Sequence, residues 1–335
     1  AIMGLQPLAE GRVAVHGQDN LDGLKGWAEA VESENCRLLG QVQDPGRGRH
    51  KDGRSATAFG PSARPDDWSW TVPHVLSLDD IKRLVGYFVS SCRTLQRCGF
   101  SGVEISAGHG HLFHQFLSPW SNGRDDAYGG DLANRLRLVQ DLIEGIRAEC
   151  GGEFIVGLKL PGDDGVPHGI GPDQAAEITA WFAARREVDF FCFCMGSHHR
   201  SLEMHIPDLH GPRGTFLPLI KRLRPAADGI PVCAVGRIIE PAQGEALLAD
   251  GTAELVGLGR TLVADAAWGL KAAAGREGHI RKCVSGNNCW GAINEDRPLA
   301  CDNNPRVDQP EEVDWWPQPA PVSRRVVVGG GVAGL

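Results

Sequence analysis

Three polar side chains, Ser106, His109 and His111, follow directly on the run Gly-Val-Glu-Ile at 102–105. A short β-branched run reads as a buried strand, so an alcohol and two imidazoles stand where a strand ends. Imidazole changes charge near neutral pH, which lets it take up or give back a proton or act as a hydrogen-bond partner. One histidine alone is more often structural; two beside a single strand end point to a site that handles protons. Farther along, Ser197-His-His-Arg200 follows another strand-like run, with His205 and Asp208 beyond it. These residues are expected to roof the same pocket.

Strand-like runs fall at 1–5, 37–43, 102–106, 154–160, 188–194, 231–235 and 254–258. Helical patterns fall near 21–33, 78–98, 132–149, 172–186, 216–224, 241–249 and 262–275. Repetition of strand and helix at this spacing implies a parallel sheet in an α/β fold. Seven strand candidates and an abrupt start fit a (β/α)8 TIM barrel lacking its first βα unit, with an open doubly wound sheet as the runner-up. In a barrel, reactive groups collect where strands end, because the strand ends are held rigidly while the loops vary. The turn-rich loop 118–130 closes on Asp131, a candidate cap for the helix 132–149. Residues 43–71, rich in Gly, Pro, Arg and Asp, read as a long excursion from a strand end.

The chain has 335 residues, 42% of them hydrophobic, with 44 glycines, which suits a loop-rich α/β protein. A formal charge of −8 argues against a nucleic-acid partner, since phosphate binding needs a basic face. No run of about twenty apolar residues and no signal peptide are visible, so no membrane partner is expected. Ten cysteines without a leader suggest reduced thiols and a cytoplasmic location. Both ends read as cut, so a fragment of a longer polypeptide is expected.

The run 116–135, F-L-S-P-W-S-N-G-R-D-D-A-Y-G-G-D-L-A-N-R, resembles the signature of the old yellow enzyme superfamily of flavin oxidoreductases. More narrowly, Ser106-Ala-Gly-His109-Gly-His111 is similar to the trimethylamine dehydrogenase branch, and most of all to dimethylglycine demethylase-type subunits. The resemblance implies an FMN-binding barrel over 1–281. On it, Gln41 matches a glutamine that reads the pyrimidine edge of the flavin, an amide supplying the complement of its donors and acceptors. Lys159 matches a basic position near flavin N1 and O2, where a cation stabilises the reduced ring. The turns Gly236-Arg237 and Gly259-Arg260 look like the family's phosphate clamp, since glycine lets backbone N–H groups approach an anion and arginine adds charge-assisted bonds. The bland alternative pairs Arg237 with a carboxylate such as Glu240.

Ene reductases of this superfamily place a His-x-x-His or His-x-x-Asn pair and then a tyrosine over the flavin. This sequence has Ser106, His109 and His111 there, departing at two of three positions. The departure matches the demethylase branch, which implies an N-methylated amine or amino-acid substrate, hydride transfer from its methyl carbon to flavin N5, and release of formaldehyde. The resemblance further implies an electron-acceptor protein or second domain and a homo-oligomer. An NAD(P)H-dependent ene or 2,4-dienoyl-CoA-type reductase, and a barrel subunit that has lost catalysis, remain as alternatives.

Multidomain relatives carry four spaced cysteines for an iron–sulfur cluster where this chain has 282–309, a segment holding Cys283, Cys289 and Cys301 as its candidate ligands. Gly286 stands at the second ligand position and cannot donate to iron. A three-thiolate cluster, a fourth ligand from elsewhere and a vestigial loop all remain open. Cys192 and Cys194 alternate with phenylalanines and read as strand packing. Residues 310–323, with Trp315 and Trp316, read as a linker. Beyond it, 324–335 reads as a strand leading into Gly329, Gly331 and Gly334, which fit the dinucleotide fingerprint and imply FAD or NAD(P) in a further domain.

Overall fold

The computed structural model describes residues 21–48, 58–197, 200–295 and 297–307, with a few single positions between 309 and 329. Its strands are β1 (Leu39–Val42), β2 (Phe59–Gly60), β3 (His74–Val75), β4 (Gly102–Ser106), β5 (Ile155–Asp163), β6 (Phe190–Met195), β7 (Val232–Ala234) and β8 (Leu255–Val256). The helices are α1 (Leu21–Glu32), α2 (Leu78–Arg97), α3 (Leu112–Leu117), α4 (Leu132–Cys150), α5 (Pro172–Ala183), α6 (Leu202–His205), α7 (Leu217–Leu223), α8 (Pro241–Ala249), α9 (Arg260–Ala264), α10 (Trp268–Ala273) and α11 (Asn288–Asn294).

Six strands form one parallel sheet in the order β1-β4-β5-β6-β7-β8. A doubly wound sheet reverses its strand order midway. Here the order is sequential throughout, so right-handed crossovers send successive helices to one face and the sheet curls as a half-barrel. That excludes the open-sheet alternative for the described strands. The expected first strand, 1–5, lies outside the described residues.

Alternation of side chains across the strands sorts the two faces of the sheet. Val103, Ile105, Val156, Leu158, Leu160, Phe191, Phe193, Val232 and Ala234 are fully buried and belong to one hydrophobic cluster with Ile81, Leu84 and Phe88 of α2 and Leu142, Ile143 and Ile146 of α4. A Cβ placed on Gly40 would stand 2.7 Å from Leu95 of α2, so this glycine allows β1 to lie close under that helix. The other face carries Gln41, Glu104, Ser106, Lys159, Cys192 and Cys233 at the intervening positions. Apolar burial against the helices therefore fixes which residues look into the curl.

Helix ends follow the capping chemistry. The Asp131 side chain accepts from the backbone N–H of Asn134 at 2.9 Å, capping α4 as expected. Ser77 and Asp80 form a capping box at the start of α2. The helix expected over 262–275 is two helices, α9 and α10, broken at Asp265. The Asp265 carboxylate accepts from the N–H of Ala267 and from Lys271 Nζ instead of continuing the coil. α3 has no polar stripe because all six of its residues are buried, which hides it from a periodicity reading. The strand expected near 326 is not seen: positions 324, 326 and 328 are not in a strand, and Gly331 and Gly334 lie outside the described residues. Gly329 is described, with φ of 112°.

Candidate active site at the strand ends

A carboxylate on β4, next to the edge strand β1, ties two expected flavin ligands together. Gln41 and Glu104 are register partners on β1 and β4, and Gln41 Nε2 donates to Glu104 Oε1 at 2.5 Å. Lys159 Nζ lies 3.3 Å from the same oxygen, with both side chains less than a fifth exposed. Ser106 is buried and level with Lys159, which in turn is level with Cys192. Burial works against the Lys159 charge, yet the anionic forms of Cys192 and Cys194 and the carboxylate of Glu104 raise its pKa overall. The Cys192 thiol is itself pushed well up, by its hydrogen bond with Cys233 and by burial, so it stays protonated at neutral pH. Glu104 is thus the partner that keeps Lys159 charged. Cys192 and Cys194, expected as apolar packing, lie outside the hydrophobic cluster and beside this polar floor.

The histidine loop rises from β4. His109 has φ of 60° and Gly110 has φ of 78°. A left-handed histidine costs about 1–2 kcal/mol, a strain that tends to collect at functional sites. The turn is held from below. Gly110 donates its N–H to His114 Nδ1 at 2.6 Å, which leaves the His114 proton on Nε2, 2.9 Å from Asp164 Oδ1 in a contact too bent to count as a good hydrogen bond. Asp164 Oδ2 accepts from the N–H of Ile170 at 2.8 Å, so one buried carboxylate links the β4 and β5 loops.

The His109 ring stacks on His205 of α6, with centroids 3.7 Å apart, and meets His111 edge-on at 6.4 Å. His109 Nε2 is buried and has no hydrogen-bond partner. Burial, then His205 and Lys159, hold its pKa well below the usual imidazole value, so His109 is a neutral ring. An isolated parallel bridge joins His109 to Ser197. His198 and His199 lie outside the described residues, and Asp208 turns aside to pair with His210 at 3.0 Å.

At the far end of the sheet, Arg237 and Arg260 come together. Burial and then the neighbouring charge of Arg260 lower the pKa of Arg237. Arg237 donates Nε to Ser285 Oγ at 3.1 Å and Nη1 to Gly211 O, while Arg260 donates Nη1 to Pro207 O at 2.9 Å and to Asn287 Oδ1. Glu240 is taken by Arg213 and Lys282, which removes the bland alternative for Arg237. Gly236 has φ of 108°, a backbone only glycine holds comfortably, and a Cβ on Gly259 would meet nothing within 4 Å.

In the cysteine segment, burial and then the neighbouring Cys283 and Cys301 raise the pKa of the Cys289 thiol, so the three side chains lie near one another. Among the described residues no group of three His, Cys, Asp or Glu side chains is arranged to hold a metal ion. A Cβ on Gly286 would stand 2.5 Å from Asp302 Oδ2, so the Asp302 side chain lies beside the expected second ligand position, where glycine offers no donor.

Glu104, His114 and Asp164 escaped the sequence reading. An acidic residue inside an otherwise apolar strand was the available signal for Glu104; His114 and Asp164 carry none before the fold brings them together. No described helix is long and apolar enough to cross a membrane.

Known proteins place this architecture. The chain is 30% identical over 318 residues to a metal reductase of Desulforamulus reducens, covering 94% of this chain and 47% of that protein. It is 31% identical over 317 residues to the N,N-dimethylglycine/sarcosine dehydrogenase of Chromohalobacter salexigens, covering 92% and 45%. A solved complex of 2-naphthoyl-CoA reductase with 2-naphthoyl-CoA superposes with a TM-score of 0.82 at 26% identity, over 89% of this chain and 47% of that one. The chain spans about half the length of the curated relatives it matches. Residues 7–279, which contain every strand of the described sheet, match the model of one family, so the chain belongs to the NADH:flavin oxidoreductase / NADH oxidase family.

Proposed function

We propose that this chain is the FMN-binding part of an enzyme that oxidatively N-demethylates a methylated amine or amino acid of the dimethylglycine kind. We read its sheet as the larger part of a (β/α)8 barrel over 1–281, followed by the cysteine segment 282–309, the linker 310–323 and a further domain beginning at 324. The observation that carries the reading is the neutral His109 ring, with Nε2 buried and unpartnered beside a charged lysine.

FMN fits the residues present. Gln41 and Lys159 would meet its ring edge, and Gly236, Arg237, Gly259 and Arg260 its phosphate, with open space above Gly259 supporting that role. When bound, the flavin supplies a two-electron acceptor at N5. An alkylammonium has no lone pair to form the C=N bond, so the substrate must lose a proton first. His109, held neutral with Nε2 unpartnered, is a weak base but can orient the free amine by a hydrogen bond, the ammonium proton passing to solvent. The N-methyl carbon then gives up hydride, water adds to the resulting iminium, and the C–N bond breaks to release formaldehyde, the demethylated amine and a proton. Ser106 and His111 would border the methyl-bearing nitrogen.

The test is anaerobic mixing of full-length, flavin-loaded protein with dimethylglycine while flavin absorbance is followed. Bleaching by the amine is expected, and His109→Asn, which tolerates the left-handed backbone, should slow it about 100-fold with flavin still bound. Undiminished bleaching in the variant removes His109 from the chemistry. The likeness to 2-naphthoyl-CoA reductase favours a second reading, an NAD(P)H-dependent reductase of an unsaturated thioester. Bleaching by NADPH and not by amines would establish that reading instead.

A further inference from the structure

Three guanidinium groups converge on one indole beside the histidine loop. Arg47, Arg64 and Arg200 place their Cζ atoms 4.5, 4.4 and 4.9 Å from the centroid of the Trp120 ring. Each comes from a different segment: the turn after β1, the loop after β2 and the loop after β6. Arg47 is buried, and its pKa is pulled down to about 10 by burial, against the opposing charges of Asp67 and Asp66 and with the like charges of Arg64 and Arg200.

Arg200 Nε pairs with Asp67 Oδ1 at 3.0 Å. Asp66 Oδ2 is committed to the N–H groups of Trp68 and Ser69 and to the Ser69 hydroxyl. Among the described residues, the carboxylates that act on Arg47 are Asp66 and Asp67, two against three guanidiniums, and stacking on a single ring contributes only about 0.5–2 kcal/mol per cation. Planar charged donors gathered against an aromatic wall are suited to an oxyanion.

The cluster borders the proposed reaction site. The Arg47 N–H donates to Gln115 Oε1 at 3.3 Å, and Gln115 Nε2 donates to Gly110 O at 2.8 Å, so one amide clamps Arg47 to the turn that carries His109. Gly46, with φ of 60°, is what lets this amide approach, since a Cβ there would stand 2.6 Å from Gln115 Oε1. On the other side, Arg200 follows Ser197, the bridge partner of His109.

We propose that Arg47, Arg64 and Arg200, gathered around Trp120, form an oxyanion-recognition site that fixes the carboxylate or phosphate of the molecule entering at His109. The inference rests on the demethylase reading for one source of that anion, the substrate's own carboxylate; the other source is the phosphate of a dinucleotide reductant. Arg64 is exposed and can be changed without opening the core.

The test is calorimetric titration of the full-length, flavin-loaded protein and of Arg64→Met and Arg200→Met with dimethylglycine, with trimethylamine, which lacks the carboxylate, and with NADPH. The wild type should prefer dimethylglycine, and each variant should lower the ratio of dimethylglycine to trimethylamine affinity at least 10-fold. If dimethylglycine does not bind but NADPH affinity falls 10-fold in both variants, the anion site stands and the demethylase reading fails. If neither the ratio nor NADPH affinity changes by more than 2-fold in folded variants, the site is refuted.

Discussion

Glu104 offers a measurement of how much one carboxylate holds the floor of the site together. Its Oε1 lies 2.5 Å from Gln41 Nε2 and 3.3 Å from Lys159 Nζ. Opposite unit charges at that second distance attract by about 5 kcal/mol at an effective dielectric of about 20. Both side chains keep 17–19% of their exposure, and both lost hydration in forming the pair, so the net coupling should be about 2 kcal/mol. The perturbation is a double-mutant cycle, Glu104→Gln, Lys159→Met and the pair, with urea unfolding at pH 7 as the assay. Glu104→Gln retains an acceptor for Gln41 and removes only the charge, and it strands an ammonium in a cleft, so it should cost about 2–3 kcal/mol. The double variant should cost clearly less than the sum of the singles. Because the Lys159 pKa is raised, this contribution is fully present at pH 7 and would be lost only as pH rises through the folded value, above that of the free side chain. A coupling below about 0.5 kcal/mol, the size of an exposed ion pair, would refute the view that Glu104 anchors this floor.

Two further outcomes follow from the buried groups. His109 is held neutral, so the unfolded chain takes up a proton below about pH 6.5 that the folded chain refuses, and stability should fall as pH drops from there. His109→Asn should flatten that fall in denaturant unfolding between about pH 6.5 and 5; an unchanged slope would mean the ring protonates freely in the folded state. Lys271 and Asp265 form a pair at 2.5 Å, both side chains 2% exposed, and Asp265 Oδ2 also accepts from the N–H of Arg281 at 2.8 Å. Asp265→Asn leaves a buried ammonium unpaired and should cost about 3–5 kcal/mol in thermal unfolding, and a loss under 1 kcal/mol would show that water reaches the pair.

Local periodicity made most of the scaffold legible before any coordinates. The run 102–106 appears as β4 and 241–249 as α8 at the bounds expected, because the strand alternates buried apolar side chains with polar ones and the helix start is marked locally by Pro241 and the Glu240–Gln243 capping box. Asp131 could be placed as a cap for the same reason: its partner is three residues away. The helix over 262–275 failed because the break at Asp265 is made by a lysine and a backbone amide that the fold brings to it.

What the sequence determined by itself was the family, the alternation of strand and helix, and the positions at strand ends where polar groups must emerge. Tertiary structure alone decided that Gln41 and Lys159 share one carboxylate, that His109 stacks on His205, that Asp302 lies beside Gly286, and that three arginines meet on Trp120. The physical reason is one of range. Burial patterns act between neighbours in the chain, whereas Gln41 and Glu104 are 63 residues apart and meet only because β1 and β4 pair in one register. Shift that pairing by one residue and the amide and the carboxylate would face opposite sides of the sheet.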